Sequence, residues 1–392
     1  MIIKNGNIVL EKDILQNVDL KICNGLITDI GKFNNCDDKI IYADGMYVAP
    51  GFIDIHTHGG YGGDFMDASN ESFDKALKFH SDNGTTSILA TSVTAPIEQI
   101  ENMIKKSREY IKNDDLMCRI LGVHIEGPFL SEKNKGAQHL SYLKTPDKDS
   151  YEFIINNSDI IKTVTIAPEL DKAIEMTKEL KSLGIIVCGG HDDGESEKIL
   201  PVIEAGLTHC THLWCAMSTV AMREGVRRIG LFELGLIDDR LSVEIIADNH
   251  HITPEMAKLV HKCKNDKLCI VSDSLRAGGM PPDNDKLYVL GNKNDKNSQK
   301  FIASKGVARL PDGTRYAGSI QPLSQMIKNL VFDSKIPLCD AIAAATIHPA
   351  RVIGVENKIG IIEKGKVADI CILDKTLNVK TVIKDGKNMR RC

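Results

Sequence analysis

Residues 49–58 read Ala-Pro-Gly-Phe-Ile-Asp-Ile-His-Thr-His, a short apolar run that ends in polar side chains. Runs of this kind, rich in β-branched residues and bounded by turn-forming residues, are typical of buried strands. Further runs of the same type follow it along the chain, and they are separated by stretches with helical periodicity. The eight predicted strands cover residues 51–55, 86–90, 119–125, 163–167, 184–188, 207–211, 241–246 and 268–271.

The segments between these strands show the spacing of amphipathic helices. Phe73, Ala76, Leu77 and His80 fall on one helical face. A later helix is expected to begin at Thr253 as N-cap with Pro254 in its first turn. Its predicted apolar face consists of Met256, Leu259, Val260 and Cys263. Alternation of strand and helix predicts a parallel sheet, and eight units without a ninth favour a closed (β/α)₈ barrel of the TIM type.

The two ends of the chain differ from this middle part. Residues 1–49 and 356–392 carry short alternating strands with turns such as Lys4-Asn5-Gly6 and Lys364-Gly365-Lys366. We therefore expect a small, discontinuous β-sandwich domain from both ends and an α/β barrel over residues 50–355. The Asn- and Lys-rich stretch 291–300 is expected to be an exposed hairpin tip or loop.

Composition limits the possible functions. Among 392 residues, 49 Lys and Arg against 53 Asp and Glu give a net charge of −4, which argues against nucleic acid as a partner. With 42% hydrophobic residues the chain can form a large core. No apolar run approaches the length of a membrane span, and no signal peptide is recognisable, so we expect a cytoplasmic protein without a membrane partner. The 11 cysteines are scattered, which favours reduced core thiols over disulfides or a zinc knuckle.

Polar side chains follow six of the predicted strands at the point where each strand ends. Only at that edge of a parallel barrel do the loops converge on one mouth. His56 and His58 share a strand face because the pleat repeats every two residues. Glu126, His191 and His212 follow three other strands. Imidazole and carboxylate groups suit a divalent metal such as zinc or iron, so these residues predict a metal centre.

Several motifs resemble those of the amidohydrolase superfamily and, within it, of the N-acetylglucosamine-6-phosphate deacetylase family. Residues 49–58 resemble the first-strand motif of the superfamily, and the C-terminal segments 346–351 and 365–369 are widely shared in it. The family-specific likeness lies in Gly122-Val-His-Ile-Glu-Gly-Pro-Phe129. It continues through residues 167–169, 211–213, 247–248, 271–273 and 317–319.

This resemblance implies a metal-dependent hydrolysis of the N-acetyl group of N-acetylglucosamine 6-phosphate. It implies Glu126, His191 and His212 as ligands of a main metal, with His56 and His58 able to hold a second, so one or two ions per subunit. Asp273 matches the general acid/base of the family. An amide is a poor electrophile, so such a reaction needs an activated water and a group that moves protons.

The resemblance also implies residues that bind the sugar phosphate. Arg223 matches a phosphate-binding arginine and His251 a substrate-binding histidine, in a family where a neighbouring subunit can lend such a group; a homodimer is therefore implied. Cys215 and Ala216 lie in Leu213-Trp-Cys-Ala-Met217, where the family usually has Asn in place of Cys215. Gln138 stands where many members have a histidine.

Two other functions remain open on the sequence. Because Cys215 is a weak hydrogen-bond donor, a related deacetylase of another N-acyl amino-sugar phosphate, such as N-acetylgalactosamine 6-phosphate, is the first alternative. A non-catalytic amidohydrolase-like scaffold is the second, although it predicts broken ligand sets. Arg276 stands where no arginine is expected; it is either a second anion contact or a surface residue, and the surface position is favoured.

Overall fold

Parallel strands and helices alternate through most of the computed structural model, which describes residues 1–34, 39–281 and 286–389. The strands are, in chain order, β1 (Ile2–Val9), β2 (Ile14–Cys23), β3 (Leu26–Gly31), β4 (Ile40–Tyr42), β5 (Tyr47–Pro50), β6 (Phe52–Thr57), β7 (Gly59–Gly60), β8 (Gly63–Asp64), β9 (Thr85–Thr91), β10 (Arg119–Glu126), β11 (Ile161–Ile166), β12 (Ile186–Gly189), β13 (Leu207–Cys210), β14 (Ala221–Arg223), β15 (Val226–Arg228), β16 (Ser242–Ile245), β17 (Leu268–Ile270), β18 (Leu287–Val289), β19 (Lys300–Ser304), β20 (Val307–Arg309), β21 (Tyr316–Ser319), β22 (Ile370–Leu373), β23 (Val379–Lys384) and β24 (Lys387–Asn388). The α-helices are α1 (Asn70–Asp82), α2 (Ile97–Ile111), α3 (Lys148–Ile155), α4 (Ala173–Ser182), α5 (Ser196–Ala205), α6 (Leu231–Ile237), α7 (Pro254–Lys264), α8 (Leu323–Lys328), α9 (Leu338–Ala343) and α10 (Ile347–Val352).

The central sheet has eight strands in the order β6, β9, β10, β11, β12, β13, β16 and β17. Each strand is parallel to its neighbour. Helices α1 to α7 connect successive strands, so the chain repeats a βα unit as the sequence predicts. All eight predicted strands are confirmed, with no end shifted by more than two residues.

The first and last strands of this sheet meet along a seam. The backbone N–H of Asp273 donates to the carbonyl of His56 over 2.9 Å, and the N–H of His58 donates to the carbonyl of Ser274 over 2.9 Å. At the other end, Ile53 and Ile270 donate to neighbouring carbonyls of the segment 344–345. The sheet therefore curls round until its edges are joined, as the barrel prediction requires.

Both chain ends contribute to a second, mixed sheet. Its order is β24, β23, β22, β5, β1, β2 and β3, with β4 also paired to β1. The two ends join where β5 pairs antiparallel with β22. This sheet has its own apolar core, which includes Ile3, Ile8, Leu20, Ile370 and Ile372. The proposed boundaries at 49/50 and 355/356 stay a prediction; residues 35–38, 282–285 and 390–392 of these expected domains lie outside the described residues.

A four-stranded antiparallel sheet, β18 to β21, follows the last barrel strand. β18 and β19 pair antiparallel, so the Asn- and Lys-rich stretch 291–300 lies at a hairpin tip as predicted. A smaller hairpin, β14 and β15, projects after β13. Among the described residues, none of the helices has both the length and the apolar character needed to cross a bilayer.

Helix α7 shows where periodicity alone misleads. Thr253 is its N-cap and Pro254 opens its first turn, as predicted. The predicted apolar face is wrong in part, because Leu259 is 44% exposed and Cys263 is exposed. The buried positions include Val260 and Lys264, whose ammonium donates to the carbonyl of Asp238 over 2.7 Å. The aliphatic stem of a lysine can pack in a core once its ammonium has a hydrogen-bond partner. The buried face of α7 therefore includes Lys264 and is rotated relative to the predicted apolar face.

Candidate metal centre and active site

Five metal-type donors converge where the barrel strands end. His56 belongs to β6 and His58 follows it, Glu126 is the last residue of β10, and His191 and His212 each come two residues after β12 and β13. Donor atoms of Glu126, His191 and His212 lie within 4.8 Å of one another, and the same holds for His56, His58 and Glu126. The described residues thus bring together the two ligand groups predicted from the sequence, with Glu126 shared between them.

Glu126 lies at the centre of this cluster. Its Oε1 atom is 3.2 Å from Nε2 of His191 and 3.0 Å from Nε2 of His212. The same oxygen is 3.4 Å from Nε2 of His56, while Oε2 is 3.5 Å from Nε2 of His58. Burial opposes the charge of Glu126, but His56 and the hydrogen-bonded imidazoles hold its pKa well below the usual range. An ionised carboxylate among imidazoles is the donor set that a divalent cation needs.

Hydrogen bonds on the far side of two imidazoles fix which nitrogen can bind a metal. Nδ1 of His191 lies 3.0 Å from the backbone carbonyl of Asn134, so this nitrogen must carry the proton. Nδ1 of His56 lies 3.2 Å from Oε2 of Glu244 in the same way. In each ring Nε2 faces Glu126, so it is the atom at which a cation would take the place of a proton. In the described structure Nε2 of His56 is buried without a hydrogen-bond partner, as expected of an atom that ligates a cation.

Glu244 is a site residue that the sequence did not predict. It lies inside β16, is 1% exposed, and contacts His56, His209 over 3.0 Å and the backbone N–H of His212. Burial opposes its ionisation, yet the hydrogen bonds from His209 and His56 keep its pKa well below the usual range. Burial also tends to lower the pKa of His56, but Glu126 and Glu244 raise it well above its usual value. The signal in the sequence was a charged residue in the middle of an apolar strand.

Asp273 stands beside the cluster, after β17. Its Oδ1 atom lies 3.1 Å from Nε2 of His58 and 3.8 Å from Nε2 of His56. Its backbone adopts φ +43°, and that of His191 adopts φ +50°, a left-handed region that costs free energy for residues other than glycine. Strain of this kind persists where surrounding structure fixes it, and it clusters at functional sites. Asp273 can therefore reach the atoms that Glu126 and the histidines surround.

A cavity of about 400 Å³ opens above these groups. Of the predicted site residues, His58, Glu126, His191, His212 and Asp273 line it, while His56 lies fully buried beneath. The predicted substrate contacts that also line it are Gln138, Cys215, Ala216 and His251.

Gln138 uses both ends of its amide within the protein. Its Oε1 accepts from the backbone N–H of Thr94 over 2.7 Å, and its Nε2 donates to Oε2 of Glu126 over 2.7 Å. The orientation is fixed, because a backbone N–H can only donate. Gln138 therefore holds Glu126 in place at the edge of the cavity.

His251 and Cys215 differ in what they can offer a ligand. Nδ1 of His251 lies 2.8 Å from Oδ2 of Asp248, which orients the ring. Burial, together with the charges of Asp273 and Asp248, raises the pKa of the Cys215 thiol. The thiol stays protonated near neutral pH, so it is a weak donor and not a nucleophile.

Arg223 does not line this cavity. It ends β14, and its guanidinium lies 3.4 Å from Glu195 and 3.8 Å from Asp193, beside a separate cleft. Arg315, which is not among the site residues predicted from the sequence, does line the cavity.

Arg276 corrects another expectation. It is 5% exposed, and its guanidinium binds both carboxylate oxygens of Asp67 over 3.1 Å. The favoured surface position is wrong, because Asp67 and Asp64 neutralise the charge inside the protein.

Comparison with known proteins agrees with this geometry. Residues 47–389 match the model of the amidohydrolase family. An N-acetylglucosamine-6-phosphate deacetylase of Bacillus subtilis is 32% identical over 98% of this chain and 96% of its own length. An N-acetylgalactosamine-6-phosphate deacetylase of Escherichia coli O157:H7 is 28% identical over 98% of both chains.

Solved structures of N-acetylglucosamine-6-phosphate deacetylases are also similar to this chain. A mutant of the N-acetyl-D-glucosamine-6-phosphate deacetylase from Mycobacterium smegmatis, in complex with N-acetyl-D-glucosamine-6-phosphate, superposes with a TM-score of 0.90. It is 26% identical, and the match covers 100% of this chain and 99% of that one. The chain therefore belongs to the amidohydrolase family and, within it, to the N-acetylglucosamine-6-phosphate deacetylases.

Proposed function

We propose that the protein hydrolyses N-acetylglucosamine 6-phosphate to glucosamine 6-phosphate and acetate. One observation carries this proposal: Asp273 lies 3.1 Å from His58 at the floor of a cavity where Glu126, His191 and His212 converge. A carboxylate beside a cluster of metal-type donors is the arrangement that hydrolysis of an amide requires. The family to which the chain belongs supports the choice of substrate.

We infer that Glu126, His191 and His212 hold a main divalent metal, and that His56 and His58 add a second site that shares Glu126. Zinc and iron suit this mixture of imidazole and carboxylate. A bound cation of this type would supply Lewis acidity, which lowers the pKa of water and polarises a carbonyl. A count of metal per chain in a fully active preparation tests the number of sites. One equivalent would remove His56 and His58 as ligands.

Asp273 is the group that moves protons. Its carboxylate accepts a proton from the attacking water and then donates that proton to the nitrogen of the leaving amine. Water adds to the acetyl carbon, the C–N bond breaks, and the products are the free amine and acetate. The Oδ1 atom of Asp273 lies 3.1 Å from Nε2 of His58, so the carboxylate faces the point at which the metal-type donors converge.

The sugar phosphate is held by the loops at the rim. His251, fixed by Asp248, presents its outer nitrogen, and Ala216 and Cys215 line the wall of the cavity. Gln138 also faces the cavity, and its hydrogen bond to Glu126 connects the cavity wall to the metal-type donors at the cavity floor. Because the Cys215 thiol is a weak donor, the contact at this position is weaker than an amide would give.

Arg223 contributes to the site of a second subunit, so the protein is a homodimer. The hairpin that carries Arg223 exposes Val220, Met222 and Val226, which are 48%, 59% and 55% accessible. Exposed apolar residues around a cation are typical of a surface that a partner covers. Sedimentation of the protein and of Met222→Asp tests this: a wild-type monomer would contradict the dimer.

The enzyme acts in the cytoplasm. Among the described residues, Cys118, Cys188, Cys210 and Cys269 are buried thiols outside any disulfide, and such thiols persist in a reducing compartment. Fractionation of cells that produce the protein, with detection in the soluble extract, checks the compartment.

A second substrate is supported by one observation. Cys215 stands at the sugar contact, and a relative with matched length is an N-acetylgalactosamine-6-phosphate deacetylase. The decisive experiment offers the metal-loaded protein both epimers, each with and without the 6-phosphate, and measures acetate release. Higher kcat/KM for the galactose epimer would replace the main proposal by this alternative. No turnover of any phosphorylated sugar would contradict both, and would favour the non-catalytic scaffold.

A further inference from the structure

The pairing of β20 with β21, the last two strands of the four-stranded sheet, shifts in register by one residue. Ala308 pairs with Gly318, but Arg309 pairs with Tyr316, so Ala317 has no partner of its own and forms a β-bulge. In a regular strand neighbouring side chains point to opposite faces, whereas a bulge re-aims them. Four consecutive residues line the cavity here: Arg315, Tyr316, Ala317 and Gly318.

Gly318 shows why the bulge fits at this place. Its φ is +140°, and a Cβ there would lie 3.0 Å from the carbonyl oxygen of Asp273 and 3.2 Å from Oδ2. Only glycine allows the chain to pass so close to Asp273. Tyr316 contacts the ring of His251, 4.9 Å away between centroids, and the guanidinium of Arg309, 5.1 Å from its centroid. The segment that follows Arg315 is therefore anchored through Tyr316 and Gly318.

Among the described residues, no ion pair neutralises the charge of Arg315. Within the described parts of the chain, no carboxylate lies within ion-pair distance of its guanidinium. The nearby carboxylate of Asp312 accepts instead from the backbone and hydroxyl of Thr314 over 3.0 and 2.8 Å. Arg223 differs, because Glu195 and Asp193 already face it.

A second cation, Lys135, belongs to another segment that lines the cavity. Lys135 belongs to the segment whose residues Asn134, Gly136 and Ala137 line the cavity, and its ammonium donates to the carbonyl of Gln138 over 2.9 Å. Burial and the positive charge of Arg315 both lower the pKa of Lys135. Two like charges near one another repel, and an anion between them would relieve that repulsion.

We propose that Arg315 binds the phosphate of the substrate within its own chain, with Lys135 beside it. This inference rests on the proposed function, since it takes a sugar phosphate as the ligand. A guanidinium matches phosphate with two parallel N–H donors, which a thiol at Cys215 cannot do. The phosphate lies at the rim by Arg315 and the acetamide lies at the floor by Asp273.

The test replaces Arg315 by Gln in the metal-loaded, full-length protein. For N-acetylglucosamine 6-phosphate we expect KM to rise about tenfold or more with kcat within about twofold, because one charged hydrogen-bond partner is lost. Turnover of unphosphorylated N-acetylglucosamine should keep the same kcat/KM. Arg315→Lys should recover part of the loss, since it keeps the charge but not the two parallel donors. Lys300→Gln removes a charge from β19 of the same sheet and is the matched control.

Binding of inorganic phosphate, measured by calorimetry, makes the test independent of turnover. We expect weaker binding in Arg315→Gln and unchanged binding in Lys300→Gln, with melting temperatures showing that both variants fold. Equal phosphate affinity in wild type and Arg315→Gln would overturn the inference. A KM increase in Arg223→Gln but not in Arg315→Gln would also overturn it, in favour of the partner subunit. A wild-type protein that binds phosphate through Arg315 but cleaves no sugar phosphate would instead contradict the proposed function.

Discussion

Nδ1 of His56 lies 3.2 Å from Oε2 of Glu244, although the two residues are 188 positions apart in the chain. Glu244 belongs to β16 and His56 to β6, so the contact spans the interior of the barrel. Because the imidazole proton is held by Glu244, the opposite nitrogen is directed at Glu126. Glu244 is thus a positioning residue for the metal centre.

We expect Glu244→Gln to weaken metal binding by about 10- to 100-fold, the usual effect of losing a hydrogen-bond partner behind a metal ligand. Competition with a chelator measures the affinity directly. Glu255→Gln, on the exposed start of α7, is the matched control. Unchanged metal affinity in Glu244→Gln, with the protein folded, would show that His56 needs no such orientation.

Asp273→Asn removes the proton carrier but keeps the shape of the side chain. We expect kcat to fall by about 10²- to 10⁴-fold, because a positioned acid/base contributes about that factor. Bound metal should change little, which separates this variant from loss of a ligand. Asp239→Asn, at an exposed position, controls for the loss of a carboxylate. A variant with the rate of the wild type would remove Asp273 from the mechanism.

Glu169 predicts a pH dependence of stability. Burial, with the charge of Asp192, raises its pKa from near 4.5 to about 7. Above about pH 4.5 the unfolded chain loses this proton while the folded protein keeps it, so stability is lost as pH rises through 7. We expect Glu169→Gln to gain about 1 to 3 kcal/mol over the wild type between about pH 5 and about pH 8.

Urea unfolding at both pH values measures this gain, and Glu175→Gln on the exposed face of α4 is the control. The comparison uses the change between the two pH values, so a uniform cost of the substitution cancels. If the difference between Glu169→Gln and wild type were the same at both pH values, the shifted pKa would be wrong.

Asp67→Asn leaves the guanidinium of Arg276 buried with less compensating charge. Removal of one partner from a buried ion pair costs about 3 to 5 kcal/mol. We expect a lower melting temperature, measured by calorimetry, and no such change in the exposed Asp171→Asn. A single variant as stable as wild type would contradict the buried pair.

The sequence predicts the barrel strands and the metal centre for one physical reason. Strands of a parallel barrel end at the same rim, so His191 and His212, which are separate in the chain, are forced together. The partner of Arg276 could not be found in this way, because Asp67 lies 209 positions earlier, at the end of a single 3₁₀ turn that is too short to show periodicity. Arg315 was equally hidden, since a bulge breaks the alternation on which strand prediction depends.

The seam of the barrel is closed by the backbones of its chemical residues. The backbone N–H of Asp273 donates to the carbonyl of His56, and the carbonyl of Ser274 accepts from the N–H of His58. The first and last strands are therefore joined at the residues that would bind the metal and at the proposed proton carrier. A cation bound by these side chains would therefore also stabilise the contact between the first and last strands. Loss of the cation should therefore show first as faster amide exchange at this joint, before any change in the distant sheet built from the chain ends.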